Sequence, residues 1–334
     1  MKKIVLLAFV LMFFSVSILS TQIAVSGSAT PDVYPGESIQ DAINSAQPGD
    51  TIFVLAGTYY EHVVVNKTVS LIGEDGDTTI IDGNGTGIVV LVTANNVVIR
   101  EFTVKNGNTG IYLDHSNDST VRENNVIYNV DAIFVRFSNN CTIYQNLVGN
   151  NTHRGILVTD SWHFTISNNK VYGNRWYGIN ANASVNGVIV ENEAYENYYD
   201  GIGLLNSNNC TVARNNVSDN LFFGIWLDSS DGNFIHHNNI INNGIQATAT
   251  LSTNRWDDGV AGNYWSDYED RYPNATELDG SGIWDTPYVI YENNQDNYPL
   301  VPEFPTWTST LLILILLTVA IAIYKRRLLK TPIH

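Results

Sequence analysis

Between Gly87 and Ile245 the chain alternates apolar and polar residues in short bursts that return at almost constant intervals. The recurring phrase opens at Gly87, Gly110, Ala132, Gly155, Gly178, Gly201 and Gly224, in steps of 23, 22, 23, 23, 23 and 23 residues. Laid over one another, the copies form columns. One reads Ile88, Ile111, Ile133, Ile156, Ile179, Ile202, Ile225, and two places on come Val90, Leu113, Val135, Val158, Ala181, Leu204, Leu227. A third apolar column reads Val98, Val121, Ile143, Ile166, Ile189, Val212, Ile235. Asn fills one column from Asn124 to Asn238 and another from Asn106 to Asn243, and hydroxyl side chains fill a column from Thr93 to Ser230. Period-two alternation with β-branched residues, broken by Asn, Ser and Gly, predicts short strands joined by turns. A repeat of this size made only of strands and turns predicts a parallel β-helix, in which each coil hydrogen-bonds to the next at ~4.8 Å. Like residues one coil apart then touch. An amide has both donor and acceptor, so Asn can bond its copies above and below, and it tolerates the left-handed backbone of a tight turn.

The flanks complete the architecture. Ser38 followed by Asp41, with apolar Ile39, Ala42 and Ile43, predicts a short amphipathic helix that covers the open first coil. Irregular early coils follow over residues 34–86, with strands expected at 51–55, 62–65, 69–72 and 79–81. The repeats occupy 87–250, and a Trp-, Tyr- and Asp-rich cap spans 251–300. Lys2 and Lys3 before an apolar run, with small residues to Ala29, read as a secretory signal peptide over 1–29. At the other end, 301–306 is a linker. Trp307, the apolar run to Tyr324 and the basic Lys325-Arg326-Arg327 predict one transmembrane helix over 307–327, with 328–334 cytoplasmic and the body outside. The expected fold is all-β: a right-handed parallel β-helix solenoid with a short N-terminal capping helix and one C-terminal transmembrane helix.

Several phrases carry a family resemblance: Ser38-Ile39-Gln40-Asp41-Ala42-Ile43, Gly49-Asp50-Thr51-Ile52, Gly57-Thr58-Tyr59, Gly262-Asn263-Tyr264-Trp265-Ser266-Asp267-Tyr268, Gly282-Ile283-Trp284-Asp285-Thr286-Pro287-Tyr288 and Asp296-Asn297-Tyr298-Pro299-Leu300. Over roughly 34–301 the chain resembles the NosD-like β-helix family, within the pectin-lyase-like β-helices. That resemblance implies a right-handed β-helix of carbohydrate-binding or sugar-hydrolase type, and it brings with it a copper-handling role. The Pro302-Glu303-Phe304-Pro305 motif, apolar helix and basic cluster are also similar to the C-terminal sorting signals of archaeal surface proteins. This implies processing by a sortase-type enzyme.

Charge narrows the partners. With 33 Asp and Glu against 17 Lys and Arg, a net −16, the chain is a poor match for nucleic acid. Just before each repeat opens, the later coils turn aromatic: His153, Trp176 with Tyr177, Tyr199 and Phe222 fall in a line suited to stacking on sugar rings. The same line also describes an aromatic ladder that satisfies itself. The principal reading is therefore a noncatalytic polysaccharide- or glycoconjugate-binding surface module. A rival reading makes it a lyase or hydrolase acting through Asp114, Arg136 and Asp160, since glycosidases place two carboxylates within ~5 to 9.5 Å. Asp279 and Asp285, in a Gly-bent loop, suit calcium. No cofactor is required. Copper is disfavoured by ligand inventory: Met1 and Met12 lie in the leader, and adjacent His236 and His237, as strand neighbours, are expected on opposite faces. Cys141 and Cys210 share a column three coils apart, ~14 Å at strand spacing and beyond disulfide reach.

Overall fold

A computed structural model describes residues 32–302. The expected leader, most of the sorting-type motif and the apolar C-terminal segment lie outside the described residues. Among the described residues no helix is long and apolar enough to cross a membrane.

Three parallel sheets wrap around one interior, of 10, 10 and 9 strands when numbered first to third in the order in which each coil enters them. Each coil contributes one short strand to each sheet, as in Thr120–Arg122, Asn125–Ile127 and Asp131–Arg136. The result is a right-handed parallel β-solenoid. Ile133, Ile156, Ile179, Ile202 and Ile225 pair in register coil after coil, and all are fully buried. The residues at 51–81 belong to the same sheets as the regular repeats, with strands at Thr51–Val54, Val63–Val65, Ser70–Gly73 and Thr79–Asp82 and an additional one at Gly57–Tyr59.

The first copy is shifted from its expected alignment. Ile111 pairs with Val90, not Ile88; Val121 pairs with Ile99, not Val98. The amide of Asn129 accepts from the Gly107 N–H, not from Asn106. Gly87 is the source of the slip. It is a turn glycine with φ +59° beside His62, whereas Gly178 lies where a Cβ would come 2.7 Å from both the Asn197 amide and the Gly201 carbonyl. One glycine serves backbone conformation and the other serves close packing, and their spacing in sequence is the same.

Two Asn ladders and one Ser ladder line the corners. Asn169 Nδ2 donates to Asn192 Oδ1 at 3.0 Å and to the Ile143 carbonyl at 2.9 Å, while its Oδ1 accepts from the backbone and side chain of Asn146. At the corners the chain passes through left-handed residues, and at the bend between the first and second sheets these are Glu101, Glu123, Gln145, Asn168, Glu191, Arg214 and His237. Cys141 and Cys210 are buried free thiols in one column.

Both ends are closed. The helix Ile39–Ser45 starts at Ser38, whose hydroxyl accepts from the Asp41 N–H, and it buries Ile39 and Ile43. Glu61 takes the Ile39 and Gln40 N–H groups at 2.9 and 3.0 Å. At the far end Trp256, Trp265, Tyr268 and Tyr288 are buried. There the phrases Gly262–Trp265 and Asp296–Tyr298 meet: Asp296 accepts from the Asn263 N–H at 2.7 Å and from the Trp265 indole at 2.9 Å. They form a structural latch.

Candidate functional site

The bend between the second and third sheets carries the aromatic line. His153, Trp176, Tyr199 and Phe222 lie on one side of the rod, with successive ring centroids 4.3, 6.3 and 4.9 Å apart. The backbone ladder fixes this: the Trp176 N–H donates to His153, Tyr199 to Trp176 and Phe222 to Tyr199. The rings differ in attitude. Tyr199 and Phe222 stack at 20°, whereas Trp176 stands at 73° to His153 and 72° to Tyr199. Tyr177 stacks on Trp226 at 2° and on Trp176 at 28°, which extends the aromatic surface around the bend. Burial raises the Tyr177 hydroxyl's pKa.

Three features escaped the repeat pattern. Tyr198 and Leu221, one residue before Tyr199 and Phe222, are 61% and 67% exposed and widen the apolar face. They follow the ladder positions Asn197 and Asn220, a place held by Val130, Thr152 and Arg175 in the preceding coils, so their exposure is visible only once the bend is built. Asp131 anchors the polar end of the face, bonding His153 Nδ1 at 2.7 Å, with the Arg154 guanidinium 3.7 Å away. Asp200 lies wholly buried beneath the face. One oxygen accepts from the Phe223 N–H, the other has no partner among the described residues, and burial pushes its pKa up to about 7.

The other candidates are placed elsewhere. Asp114 and Arg136 are strand partners at the bend between the third and first sheets. Asp114 bonds His115 at 3.0 Å, Arg136 lies 4.5 Å from the Phe137 ring centre, and Asp160 accepts from the Thr159 hydroxyl. Asp114 and Asp160 are thus two coils apart, ~10 Å by strand spacing. In the C-terminal cap, Asp285 accepts from Thr276 and Thr286, which hold its carboxyl below the usual range, and Asp279 sits exposed in the Gly-bent loop. No group of three or more candidate metal ligands forms around this pair among the described residues.

The expectation for His236 and His237 is corrected. Their Nδ1 atoms lie 2.7 Å apart, and Asp258 Oδ2 is 3.9 Å from His237 Nδ1. Strand alternation does not separate them because the strand ends at His236 and His237 takes the left-handed conformation, φ 57°. The bend turns the second side chain back toward the first. In earlier coils the same place pairs Arg100 with Glu101 and Arg122 with Glu123.

These features define a right-handed parallel β-helix with one exposed aromatic bend and capped ends. The family model described as NosD, periplasmic copper-binding protein, matches residues 72–270, and the chain belongs to that family. A cell surface glycoprotein of Methanothermus fervidus is 31% identical over 117 residues, which are 34% of this chain and 19% of that relative. Among solved structures, the Azotobacter vinelandii mannuronan C-5 epimerase A-module is similar with a TM-score of 0.53 at 20% identity, over 68% of this chain and 81% of that one. An alginate lyase from Paenibacillus reaches 0.50 at 14% identity, over 71% and 99%. At such identities the likeness concerns the fold alone.

Proposed function

We propose that the chain is an extracytoplasmic, surface-displayed β-helix that binds polysaccharide or glycoconjugate along the His153–Phe222 bend and performs no chemistry on it. The exposed aromatic face carries this reading: Trp176, turned out of the stacking pattern of its column and 37% exposed, offers ring surface to a sugar, while Tyr198, Tyr199 and Leu221 extend the apolar floor. Asp131, His153 and Arg154 supply hydrogen-bonding groups at one end. A net charge of −16 favours a neutral or basic glycan over a polyuronate. The surface location follows the family's periplasmic description and the cell-surface relative. Anchoring by the C-terminal apolar segment, with sortase-type processing, belongs to the same proposal.

The catalytic reading has weaker support. Asp114, Arg136 and Asp160 are engaged with His115, Phe137 and Thr159 rather than with one another. Among the described residues the copper of the family description finds no exposed soft ligand, because Cys141 and Cys210 are buried. The His236–His237–Asp258 corner offers imidazole and carboxylate, a set for a divalent ion. The deciding experiment screens the chain on a glycan array and, with the bound glycans, for reducing-end or unsaturated-sugar release. Binding without release supports the module. Release abolished by Arg136→Ala establishes the enzyme instead.

A further inference from the structure

We infer that His236, His237 and Asp258 form a binding site for one divalent late transition-metal ion, Zn(II) or Cu(II) by donor chemistry, which clips the C-terminal cap to the last regular coil. The three donor atoms lie within 4.8 Å of one another. They come from two segments. His236 ends a strand of the first sheet, with His237 just beyond it in the bend, and Asp258 belongs to a loop of the C-terminal cap.

The site is held in place before any ion arrives. Asp258 Oδ1 accepts from the Val260 and Ala261 N–H groups, each at 2.8 Å, which leaves Oδ2 to face His237. The His237 backbone N–H donates to the Gly262 carbonyl at 2.6 Å, fixing the bend. The His236 ring packs 4.5 Å from Phe234. His237 and Asp258 side chains remain 30% and 31% exposed, so an ion has a route in and an open side for water.

The donor set selects the ion. Two imidazoles with one carboxylate suit Zn(II), Cu(II) or Ni(II), not the oxygen-seeking Ca(II) or a thioether-seeking Cu(I). Arg214 and Arg255 also face His236 and oppose a cation, and Asp258 offsets part of their charge. In earlier coils this bend joins Arg to Glu as an ion pair. In the last regular coil the two histidines convert that contact into a chelate.

The test uses the full chain without a polyhistidine tag, titrated with Zn(II) and with Cu(II). The expected result is one ion per chain, a rise of several degrees in the thermal transition with Zn(II), and nitrogen couplings from two imidazoles in the Cu(II) spin-resonance spectrum. His237→Asn, which tolerates the left-handed bend, is expected to keep the metal-free transition and lose at least tenfold in affinity. His236→Ala is expected to leave one imidazole coupling. Equal affinity in His237→Asn and the parent chain, or no ion held at micromolar concentration, overturns the site.

Discussion

Trp176 stands edge-on to Tyr199, the ring one coil further along, at 72° with centroids 6.3 Å apart, whereas Tyr199 lies nearly parallel to Phe222. One aromatic column therefore contains two kinds of ring. Tyr199 and Phe222 spend their faces on each other, and Trp176 departs from that arrangement.

A difference between stability and binding follows. Phe222→Ala removes the stacked partner of Tyr199, which should cost about 1 kcal/mol beyond lost burial, with glycan affinity reduced no more than threefold. Urea unfolding and binding isotherms on the same sample check both. A large loss of affinity with unchanged stability would assign Phe222 to the ligand instead.

The Asn ladder predicts an expensive substitution. Asn169→Ala strands the Asn146 N–H and the Ile143 carbonyl in the interior. Each buried group left unpaired costs about 1–3 kcal/mol, so a loss of ~3 kcal/mol or more is expected in urea or thermal unfolding. Asn168→Ala, one residue earlier in the same bend, where the exposed Nδ2 reaches Glu191, should cost less than half of that.

Asp200 gives the stability a pH signature. Its folded pKa, raised by burial to about 7 from 3.8, means that the native state holds a proton the unfolded chain has released between those values. Stability from this group is present at and below pH 4, falls as pH rises toward 7, and is level above it. Asp200→Asn should match the parent at pH 4 and exceed it at pH 8 by on the order of 3 kcal/mol. Thermal transitions at both pH values measure the difference. A variant less stable at pH 8 would show that the carboxylate is paired.

The C-terminal latch is equally exposed to test. A Cβ at Gly262 would come 1.8 Å from Asp296 Oδ1. Gly262→Ala should displace Asp296 from Asn263 and Trp265 and loosen the cap, with faster amide exchange at 256–300 and slower-exchanging coils at 120–200 unaffected.

Much of this was legible in the sequence because a solenoid repeats its contacts. Ile156 meets Ile179 for the same reason that Asn169 meets Asn192, so columns in the alignment become neighbours in space. Legibility failed where local backbone conformation decides. Gly87 and Gly178 are the same letter at a compatible spacing, yet one turns the chain and the other admits a neighbouring coil. His236 and His237 obey strand alternation only if both lie on a strand, and the left-handed bend at His237 is a property of the coil's corner. Asp200 was legible as a residue of the aromatic column's neighbour, but its burial was not. It occupies the place of Asp131, which stays near the surface to hold His153.

The central claim is tested most directly by comparing two exposed tryptophans. Trp162, 55% exposed, lies at the bend between the third and first sheets, and Trp176 lies on the proposed face. Equilibrium binding of a glycan identified on the array should fall at least tenfold in Trp176→Ala and stay within twofold in Trp162→Ala. An equal loss in both variants, or undiminished binding in Trp176→Ala, would contradict a binding face on the His153–Phe222 bend.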